Sequence, residues 1–299
     1  MGLLVVGTGA LACLFAARLA GSGNRVTMLG SWQEGLNALR QRGVRLLEMD
    51  GSTCQYPVKI IGGTDTRRKF NQALVLVKSW QTERVAKQLE QRLTKAGIVL
   101  TLQNGFGNYE ILKGGLGQER VALGVTTEGA RMLEPGYAQH TGEGKVTIGF
   151  HDHMGGLGEI LNKAGFQVEM IADAESLLWG KLVINAAINP ITALLRVPNG
   201  ELLSRPAARE LMSEAAREAA MVATRRGIIL PYSDPVNAVE EVARKTAANT
   251  SSMLQDVLRG TPTEIDAISG AIIRMGQGLG VSIPVNRILW QLVKSLENH

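Results

Sequence analysis

The sequence predicts an α/β protein in which an N-terminal Rossmann-type doubly wound sheet is followed by an all-α C-terminal domain. Three observations indicate it: a glycine-rich turn between the first strand and first helix, alternating apolar strands and helices up to about residue 172, and helical periodicity from about residue 174 onward. A chain of 299 residues is long enough for two domains with separate cores. We therefore expect domains at residues 1–172 and 173–299.

The composition favours a globular protein without a nucleic-acid partner. Hydrophobic residues make up 45% of the chain, and only four Trp, four Tyr and five Phe are present, so the cores are expected to be mostly aliphatic. The net charge of +5 is dispersed, and the longest basic run, Arg67–Lys69, has no interleaved aromatic residues. A solvated loop is the simplest interpretation of such a run.

The cysteines, histidines and apolar runs indicate a cytoplasmic protein with no metal site and no membrane partner. Cys13 and Cys54 have neither metal-binding nor redox spacing, and Cys13 is expected to be a small buried residue in a helix. The apolar run Leu182–Leu195 contains two Asn and a Pro and is too short to span a bilayer. His151 and His153 are expected in an exposed turn.

The N-terminal strand leads directly into a glycine motif typical of dinucleotide binding. The pattern is G-x-G-x-x-A, in which Gly7 allows a tight turn, Gly9 allows a pyrophosphate to approach the backbone, and Ala12 allows close packing of helix on strand. A helix ending near Gly21 and a second strand, Arg25–Leu29, follow it. A glycine turn in an unrelated α/β domain is the alternative. The candidate cofactor-binding residues of this loop are Gly7, Thr8, Gly9, Ala10, Leu11 and Ala12.

The residues after the second strand favour NADPH over NADH. An acidic residue at this point would bind the ribose hydroxyls of NAD and repel the 2′-phosphate of NADP. The chain has Gly30-Ser31-Trp32 instead, with no acid before Glu34 and no Arg at the expected position. Ser31 is the candidate phosphate contact.

Two further strands are expected to end beside the nicotinamide ring. Leu74–Val77 ends at Lys78, and Ile98–Leu102 ends just before Asn104, while ligands of such sheets bind at the carboxyl ends of the strands. The alternatives are an ordinary exposed lysine and a turn residue before Gly105. Additional strands are predicted at Val121–Val125 and Lys145–Gly149.

One helix of the second half places three polar groups on a single face. Lys181, Asn185 and Asn189 are four residues apart, so their head groups are separated by about 40° steps around the helix. Such groups in an apolar run need partners, either from the protein or from a polar ligand. The predicted helices run over residues 174–195, 207–226, 235–247, 262–278 and 286–296.

Two more polar candidates follow later in the chain. Ser252 lies in the polar cluster Asn249–Asp256, which leads into an apolar turn, and Glu264 lies in Thr263–Asp266, which is expected to begin a helix. The alternatives are a helix cap for Ser252 and a charge stabilised by the helix dipole for Glu264.

Together these segments resemble the ketopantoate reductases over essentially the whole chain. The matching motifs are G-T-G-A at 7–10, V-K-S-W-Q at 77–81, Q-N-G-F-G-N at 103–108, W-G-K-L-V-I-N at 179–185, N-T-S-S-M-L-Q-D at 249–256 and T-E-I-D at 263–266. The resemblance implies NADPH-dependent reduction of 2-dehydropantoate (ketopantoate) to pantoate, a step towards pantothenate and coenzyme A. It implies that residues 1–172 bind NADP and residues 173–299 bind substrate and carry catalysis.

The resemblance also implies a role for each candidate. Lys181 is the general acid that protonates the carbonyl oxygen, and Glu264 hydrogen-bonds the substrate hydroxyl and helps to organise Lys181. The partner is a small-molecule 2-oxo acid, and the chain is expected to be a monomer or a homodimer. Substrate binding is implied for Asn185, Asn189, Ser252 and Asn104, with Lys78 and Asn104 beside the nicotinamide.

The chain departs from the family pattern at two places. The family commonly has an Arg just beyond the second strand, where this chain has Gly30-Ser31-Trp32. Glu128 stands where the family often has His, which implies a different rim of the substrate pocket.

Two other functions stay open on the sequence. A different 2-oxo acid reductase or an opine-type dehydrogenase would keep Lys181 and change the residues around Asn189, Ser252 and Glu264. A non-enzymatic dinucleotide sensor would need the glycine loop but would have no use for Lys181 together with Glu264.

Overall fold

The computed structural model describes residues 2–63 and 65–297 and divides into two compact units. The first contains the chain up to Gln103 together with Asn108–Ala174. The second contains Asn104–Gly107 and the chain from Glu175 onward.

All strands that the structure describes belong to the first unit. They are β1 (Leu3–Val6), β2 (Val26–Leu29), β3 (Val44–Leu47), β4 (Thr53–Tyr56), β5 (Lys59–Ile61), β6 (Phe70–Val75), β7 (Leu93–Thr101), β8 (Val121–Thr126), β9 (Gly129–Glu134), β10 (Tyr137–Gly142), β11 (Lys145–Gly149) and β12 (Gln167–Ile171). The helices of this unit are α1 (Ala10–Gly21), α2 (Gln33–Arg42), α3 (Thr82–Glu90), α4 (Asn108–Leu116) and α5 (Gly155–Lys163).

The main sheet confirms the predicted α/β class. Its eight strands have the order β12-β11-β8-β7-β6-β1-β2-β5, and neighbouring strands are parallel except for the antiparallel pair β8 and β11. The predicted strand at Lys145–Gly149 is confirmed, whereas β6 and β7 begin earlier than expected and end at Val75 and Thr101. Because the chain crosses over on both sides of β1, the carboxyl ends of β1, β2 and β6 meet beside the glycine loop.

A second sheet of four strands was not predicted. Its order is β4-β3-β10-β9, and a turn at Pro135-Gly136 joins β9 to β10. Its strands are short and partly exposed, so they lack the continuous apolar run of the main sheet. Helix α1 contacts strands of both sheets. This explains why Leu14, Phe15 and Leu19 are all fully buried and why α1 has no polar face.

The second unit is helical, as predicted. Its helices are α6 (Ala174–Leu195), α7 (Glu201–Ser204), α8 (Pro206–Arg225), α9 (Pro235–Lys245), α10 (Ser252–Leu258), α11 (Ser269–Gly278) and α12 (Pro284–Glu297). The expectation of a helix beginning at Pro262 was wrong, because residues 261–268 form an irregular turn and α11 begins at Ser269. The apolar turn expected near Leu254 is the short helix α10.

The length argument against a membrane span was also wrong. The apolar run belongs to the 22-residue helix α6, which is long and apolar enough to cross a membrane by length and composition. However, 72% of its most apolar window is buried inside the protein, as in the core helix of a folded domain. Trp179, Val183 and Ala187 of α6 are fully buried in the helical core.

The two cysteines and the His151–His153 segment agree with their sequence-based interpretation. Cys13 is fully buried within α1, and desolvation raises the pKa of its thiol to about 12. Both Cys13 and Cys54 are free thiols. Residues 152–153 form an exposed turn.

Candidate active site

The glycine loop connects β1 to α1 with a tight turn that leaves the helix N-terminus uncovered. Gly7 has φ of +133°, and a Cβ there would lie 2.9 Å from the carbonyl oxygen of Leu76, so only glycine fits. A Cβ on Gly9 would meet no atom of the described residues within 4 Å, and none of their side chains caps α1. This open approach to the first-turn N–H groups fits a dinucleotide pyrophosphate.

The carboxyl end of β2 lies against the same loop. A Cβ on Gly30 would approach the Thr8 Cγ2 to 2.5 Å, so the chain passes close to the loop at this point. The next residue, Ser31, accepts a hydrogen bond of 2.9 Å from Nη2 of Arg84, which lies on α3. Sequence reasoning missed Arg84, because it is 53 residues away from Ser31 and no local pattern connects the two.

Lys78 and Asn104 each lie three residues beyond the strand that precedes them. Lys78 has an extended backbone and precedes a 3-10 turn over Ser79–Gln81. Gln103, the residue before Asn104, contacts the segment on both sides of the Lys78 turn. Its Nε2 donates to the carbonyl of Val77 at 3.1 Å and to the Thr82 hydroxyl at 2.8 Å.

Asn104–Gly107 departs from the sheet and belongs to the helical unit. The Phe106 N–H donates to the carbonyl of Ala267 at 2.8 Å, and the Phe106 ring lies 5.6 Å from that of Trp179. Gly105 has φ of +84°, and a Cβ there would lie 2.7 Å from Cβ of Ala267. These contacts hold Asn104 where its Nδ2 donates to Oε2 of Glu264 at 3.4 Å.

Glu264 lies in the irregular turn before α11, so the alternative of a helix N-terminal charge was wrong. The residue is only 5% exposed, and its carbonyl oxygen accepts from the N–H groups of Ala267 and Ile268 at 3.1 and 3.0 Å. The side chain is a buried carboxylate that the turn presents to Asn104.

Lys181 and Glu264 interact electrostatically within this unit. Desolvation lowers the pKa of Lys181 to about 8, and the charge of Glu264 opposes that shift. The ammonium group can therefore release a proton close to neutral pH, as a general acid must. The structure brings together Lys181, Glu264 and Asn104.

The two asparagines on the same helix lie one and two turns beyond Lys181. Asn189 is 6% exposed, whereas Asn185 is partly buried. The next residue is Pro190, which has no N–H to donate to the carbonyl four residues earlier. The Thr192 hydroxyl lies 3.0 Å from the carbonyl oxygens of both Ile188 and Asn189 in the same part of the helix.

Thr192 also connects α6 to the segment that carries Ser252. Its hydroxyl lies 2.7 Å from Oγ of Ser251, and Ser251 accepts from the Leu254 N–H at 3.1 Å. Ser251 is therefore the cap of α10, and the alternative of Ser252 as cap was wrong, because Ser252 is the first helical residue. The N–H of Asn199 donates to the carbonyl of Asn249 at 3.0 Å, which anchors the beginning of the same segment.

Glu128 belongs to a partly buried ion cluster of the first unit. Its carboxylate lies 2.9 Å from Nε2 of His140, and the Nδ1 of the same ring lies 3.1 Å from both Glu48 and Arg18. His140 and Glu128 have side-chain exposures of 1% and 3%. The structure thus accounts for Glu128 by its pairing with His140.

No group of three or more His, Cys, Asp or Glu side chains among residues 2–63 and 65–297 could hold a metal ion. Within the helical unit, the Glu264 carboxylate acts electrostatically on Lys181 and accepts a hydrogen bond from the amide of Asn104.

The first unit has a Rossmann-type sheet with an open glycine loop, and the helical unit has a lysine beside a buried carboxylate. Together these features define a nicotinamide-dependent oxidoreductase. Family models described as "Ketopantoate reductase PanE/ApbA" and "Ketopantoate reductase PanE/ApbA C terminal" match residues 3–153 and 173–297. The chain belongs to the ketopantoate reductase family.

Individual relatives agree with this assignment. A protein of Archaeoglobus fulgidus named 2-dehydropantoate 2-reductase is 37% identical, with 98% of this chain and 97% of that protein covered. The crystal structure of a PanE/ApbA family ketopantoate reductase from Ralstonia eutropha is 31% identical, with a TM-score of 0.92 over 100% of this chain and 99% of that one. The ternary structure of D-mandelate dehydrogenase with NADH and anilino(oxo)acetate is 25% identical, with a TM-score of 0.93 over 100% and 98% of the two chains.

Proposed function

We propose that this chain reduces 2-dehydropantoate to pantoate with NADPH, as a cytoplasmic enzyme of pantothenate and coenzyme A biosynthesis. Family membership and the name of the Archaeoglobus fulgidus relative support the reaction. The observation that carries the proposal is the lysine of α6 with a pKa of about 8 in the field of a buried carboxylate. A sensor protein that only bound a dinucleotide would gain nothing from this pair.

Lys181 is the general acid of this proposal. When bound, a reduced nicotinamide supplies the hydride that adds to the carbonyl carbon. Negative charge then develops on the carbonyl oxygen, and the Lys181 ammonium stabilises it and transfers one proton to it. The substrate carbonyl becomes an alcohol, the hydride donor is left oxidised, and Lys181 is left neutral until it regains its proton from solvent.

Glu264 and the amides orient the substrate in this proposal. The Glu264 carboxylate accepts a hydrogen bond from the substrate hydroxyl, and its charge keeps Lys181 protonated over a wider pH range. The amide groups of Asn185 and Asn189 and the hydroxyl of Ser252 supply hydrogen-bond donors for the substrate carboxylate.

The cofactor-binding role is proposed for the first unit. The turn from Gly7 to Ala12, which includes Thr8, Ala10 and Leu11, holds the pyrophosphate, and Lys78 and Asn104 lie beside the nicotinamide. We accordingly propose residues 1–172 as the NADP-binding domain and residues 173–299 as the substrate-binding and catalytic domain.

The test is the initial rate of NADPH oxidation with ketopantoate, measured beside NADH and a panel of other 2-oxo acids. The panel includes short aliphatic acids without a hydroxyl group and an acid with a bulky aromatic substituent. Turnover that is fastest with ketopantoate and NADPH supports the proposal. Absence of ketopantoate turnover, with the cofactor still bound, contradicts it.

A second candidate function is an NADH-dependent reductase of a different 2-oxo acid. Its specific support is the close structural similarity to D-mandelate dehydrogenase, a protein solved with NADH, and the absence of an Arg directly after β2. The same panel separates the two, because this candidate requires the aromatic or short aliphatic acid to be the better substrate and NADH the better donor.

A further inference from the structure

We propose that Arg84 and Ser31 together form the subsite that binds the 2′-phosphate on the adenosine ribose of the cofactor. This inference rests on the proposed function, because it assumes that the first unit binds a nicotinamide dinucleotide. It assigns the phosphate contact to a residue of α3, in place of an Arg directly after β2.

The position of the pair agrees with this assignment. In a Rossmann-type fold the adenosine ribose lies at the carboxyl end of the second strand. Here β2 ends at Leu29, and Gly30 lies close to Thr8 of the glycine loop. Ser31 is the first residue after β2 that has a polar side chain. The 2.9 Å hydrogen bond from Nη2 of Arg84 brings a guanidinium to this point.

Helix α3, which carries Arg84, is anchored by buried side chains and by hydrogen bonds at its first residue. Val85, Ala86 and Leu89 bury the inner face of the helix, so Arg84 is on its exposed face. The helix begins at Thr82, whose hydroxyl lies 2.8 Å from Oδ1 of Asn108 and accepts from Gln103 at 2.8 Å. The backbone that carries Arg84 is thus fastened to the loop that follows β7.

The chemistry of the pair suits a phosphate monoester. A guanidinium has five N–H donors, and among the described residues the Arg84 side chain makes a hydrogen bond only to Ser31 and no ion pair. The remaining donors can form the two-point contact that phosphate oxygens favour, and the Ser31 hydroxyl can add a third hydrogen bond. No carboxylate occurs from residue 30 to residue 33 to repel the added charge.

The expected preference is moderate, because both residues are exposed to solvent. A charge-assisted hydrogen bond to a phosphate is worth roughly 10- to 100-fold in affinity. Screening by salt reduces this factor, so NADPH binding should weaken with ionic strength more steeply than NADH binding.

The experiment measures dissociation constants by calorimetry or by nucleotide fluorescence, which does not depend on turnover. Arg84→Ala should weaken NADPH binding by about 10- to 100-fold and leave NADH binding within about twofold. Arg84→Lys should recover part of the loss, since a point charge replaces the planar fork. Lys87→Ala is the matched control, because Lys87 is an exposed cation on the same helix.

Competing ligands identify the group that is bound. Adenosine 2′,5′-bisphosphate should bind the wild-type protein more tightly than adenosine 5′-monophosphate, and Arg84→Ala should remove this difference. If adenosine 2′,5′-bisphosphate keeps its advantage over adenosine 5′-monophosphate in Arg84→Ala, the pair is not a phosphate subsite and the inference is wrong.

The outcomes separate this inference from the proposed function. An unchanged NADPH to NADH affinity ratio in Arg84→Ala overturns the Arg84 assignment, even if ketopantoate reduction is fast. A wild-type protein that binds NADH more tightly than NADPH also overturns it, even if the protein is a 2-oxo acid reductase. Loss of NADPH affinity alone in Arg84→Ala supports the inference, whichever 2-oxo acid proves to be the substrate.

Discussion

Lys181 experiences two opposing effects, and their balance determines its chemistry. Burial in α6 removes solvent from the ammonium group and lowers its pKa, while the negative charge of Glu264 raises it. Desolvation is the larger effect, and the resulting pKa of about 8 lies much closer to neutral pH than that of a free lysine. A surface lysine, with a pKa near 10.4, would be a much weaker acid.

We expect Lys181→Ala to lower kcat for ketopantoate reduction by roughly 10² to 10⁴, the usual cost of losing a positioned acid. The dissociation constant for NADPH should not change, because Lys181 is on α6 of the helical unit. Lys245→Ala, at an exposed lysine of α9, is the control. Near-normal turnover in Lys181→Ala would exclude this residue from the proton transfer.

The pH dependence of reduction should follow the protonation of Lys181. The ammonium form is needed, so kcat/KM should fall as pH rises through about 8. Glu264→Gln removes the charge that raises the pKa of Lys181, and the fall should therefore occur at lower pH. The variant should also raise the KM for ketopantoate.

The measurement is a pH–rate profile of the wild type and of Glu264→Gln. Glu241→Gln, at an exposed carboxylate of α9, controls for a general change of charge. A profile that does not move in Glu264→Gln would show that the carboxylate does not act on the catalytic acid.

At the scale of elements, the turn that carries Glu264 is held by the last helix of the chain. The N–H and hydroxyl of Thr263 donate to Oε1 of Glu297 at 2.7 and 2.6 Å. On the other side of Glu264, Asp266 accepts from Nε1 of Trp290 at 2.7 Å and from Lys294 at 3.1 Å. A turn without regular structure is thereby kept in one conformation by α12.

The second sheet of the first unit contains a different charged element, the cluster around His140. The pKa of His140 is raised, chiefly by its hydrogen bond to the Glu128 carboxylate, although burial opposes the shift. A histidine with a raised pKa in the folded state contributes stability that is present below about pH 6.5. That contribution is lost as the pH rises through the pKa of the folded state.

We expect His140→Gln to lower the free energy of unfolding by about 3 kcal/mol at pH 6, because it leaves the buried Glu128 carboxylate without its cationic partner, whereas Glu48 keeps its ion pair with Arg18. The loss should be smaller at pH 9 than at pH 6, because the charge on His140 is lost as the pH rises through its folded-state pKa. Urea unfolding at both pH values measures it. An equal loss at the two pH values would mean that His140 is not charged in the folded protein. The control for removing a histidine is His153→Gln, at the exposed turn.

At the scale of the whole molecule, the proposed cofactor-binding residues and the proposed catalytic residues lie in different compact units. The glycine loop, Ser31 and Lys78 belong to the first unit, while Lys181 and Glu264 belong to the second. Asn104 follows β7 of the sheet but belongs to the helical unit, because Phe106 is anchored beside Trp179.

We expect cofactor and substrate to protect different units against hydrogen exchange. NADPH should protect Leu3–Gly21 and the residues after β2, because the pyrophosphate and the ribose bind there. Pantoate, added to the NADP-bound protein, should give further protection in α6 and in the turn 263–266. Hydrogen exchange with mass spectrometry measures both, and NADPH protection confined to the chain after Glu175 would contradict the proposed domain roles.

Several elements could be predicted from the sequence because their signals are local. The turn at Gly7 and the bounds of α6 depend on residues within a few positions of each other, through φ preference and helical periodicity. The second sheet could not be predicted, since its strands are short and half exposed. The helix expected from Pro262 was wrong because Thr263 and Asp266 bond to α12 instead of to a helical turn.

The sequence by itself determined the class of fold, the glycine loop, the helix with Lys181 and its two asparagines, and the resemblance that the family assignment confirms. These features depend on short-range patterns and on the order of motifs. Only the tertiary structure decided the electrostatics of the candidate site and the contacts between distant residues. The pKa of Lys181 depends on burial and on Glu264, the Asn104–Glu264 hydrogen bond joins residues 160 positions apart, and the Arg84–Ser31 bond joins residues 53 apart. Such contacts follow from how the elements pack, because electrostatic and hydrogen-bond energies depend on distance in space and not along the chain.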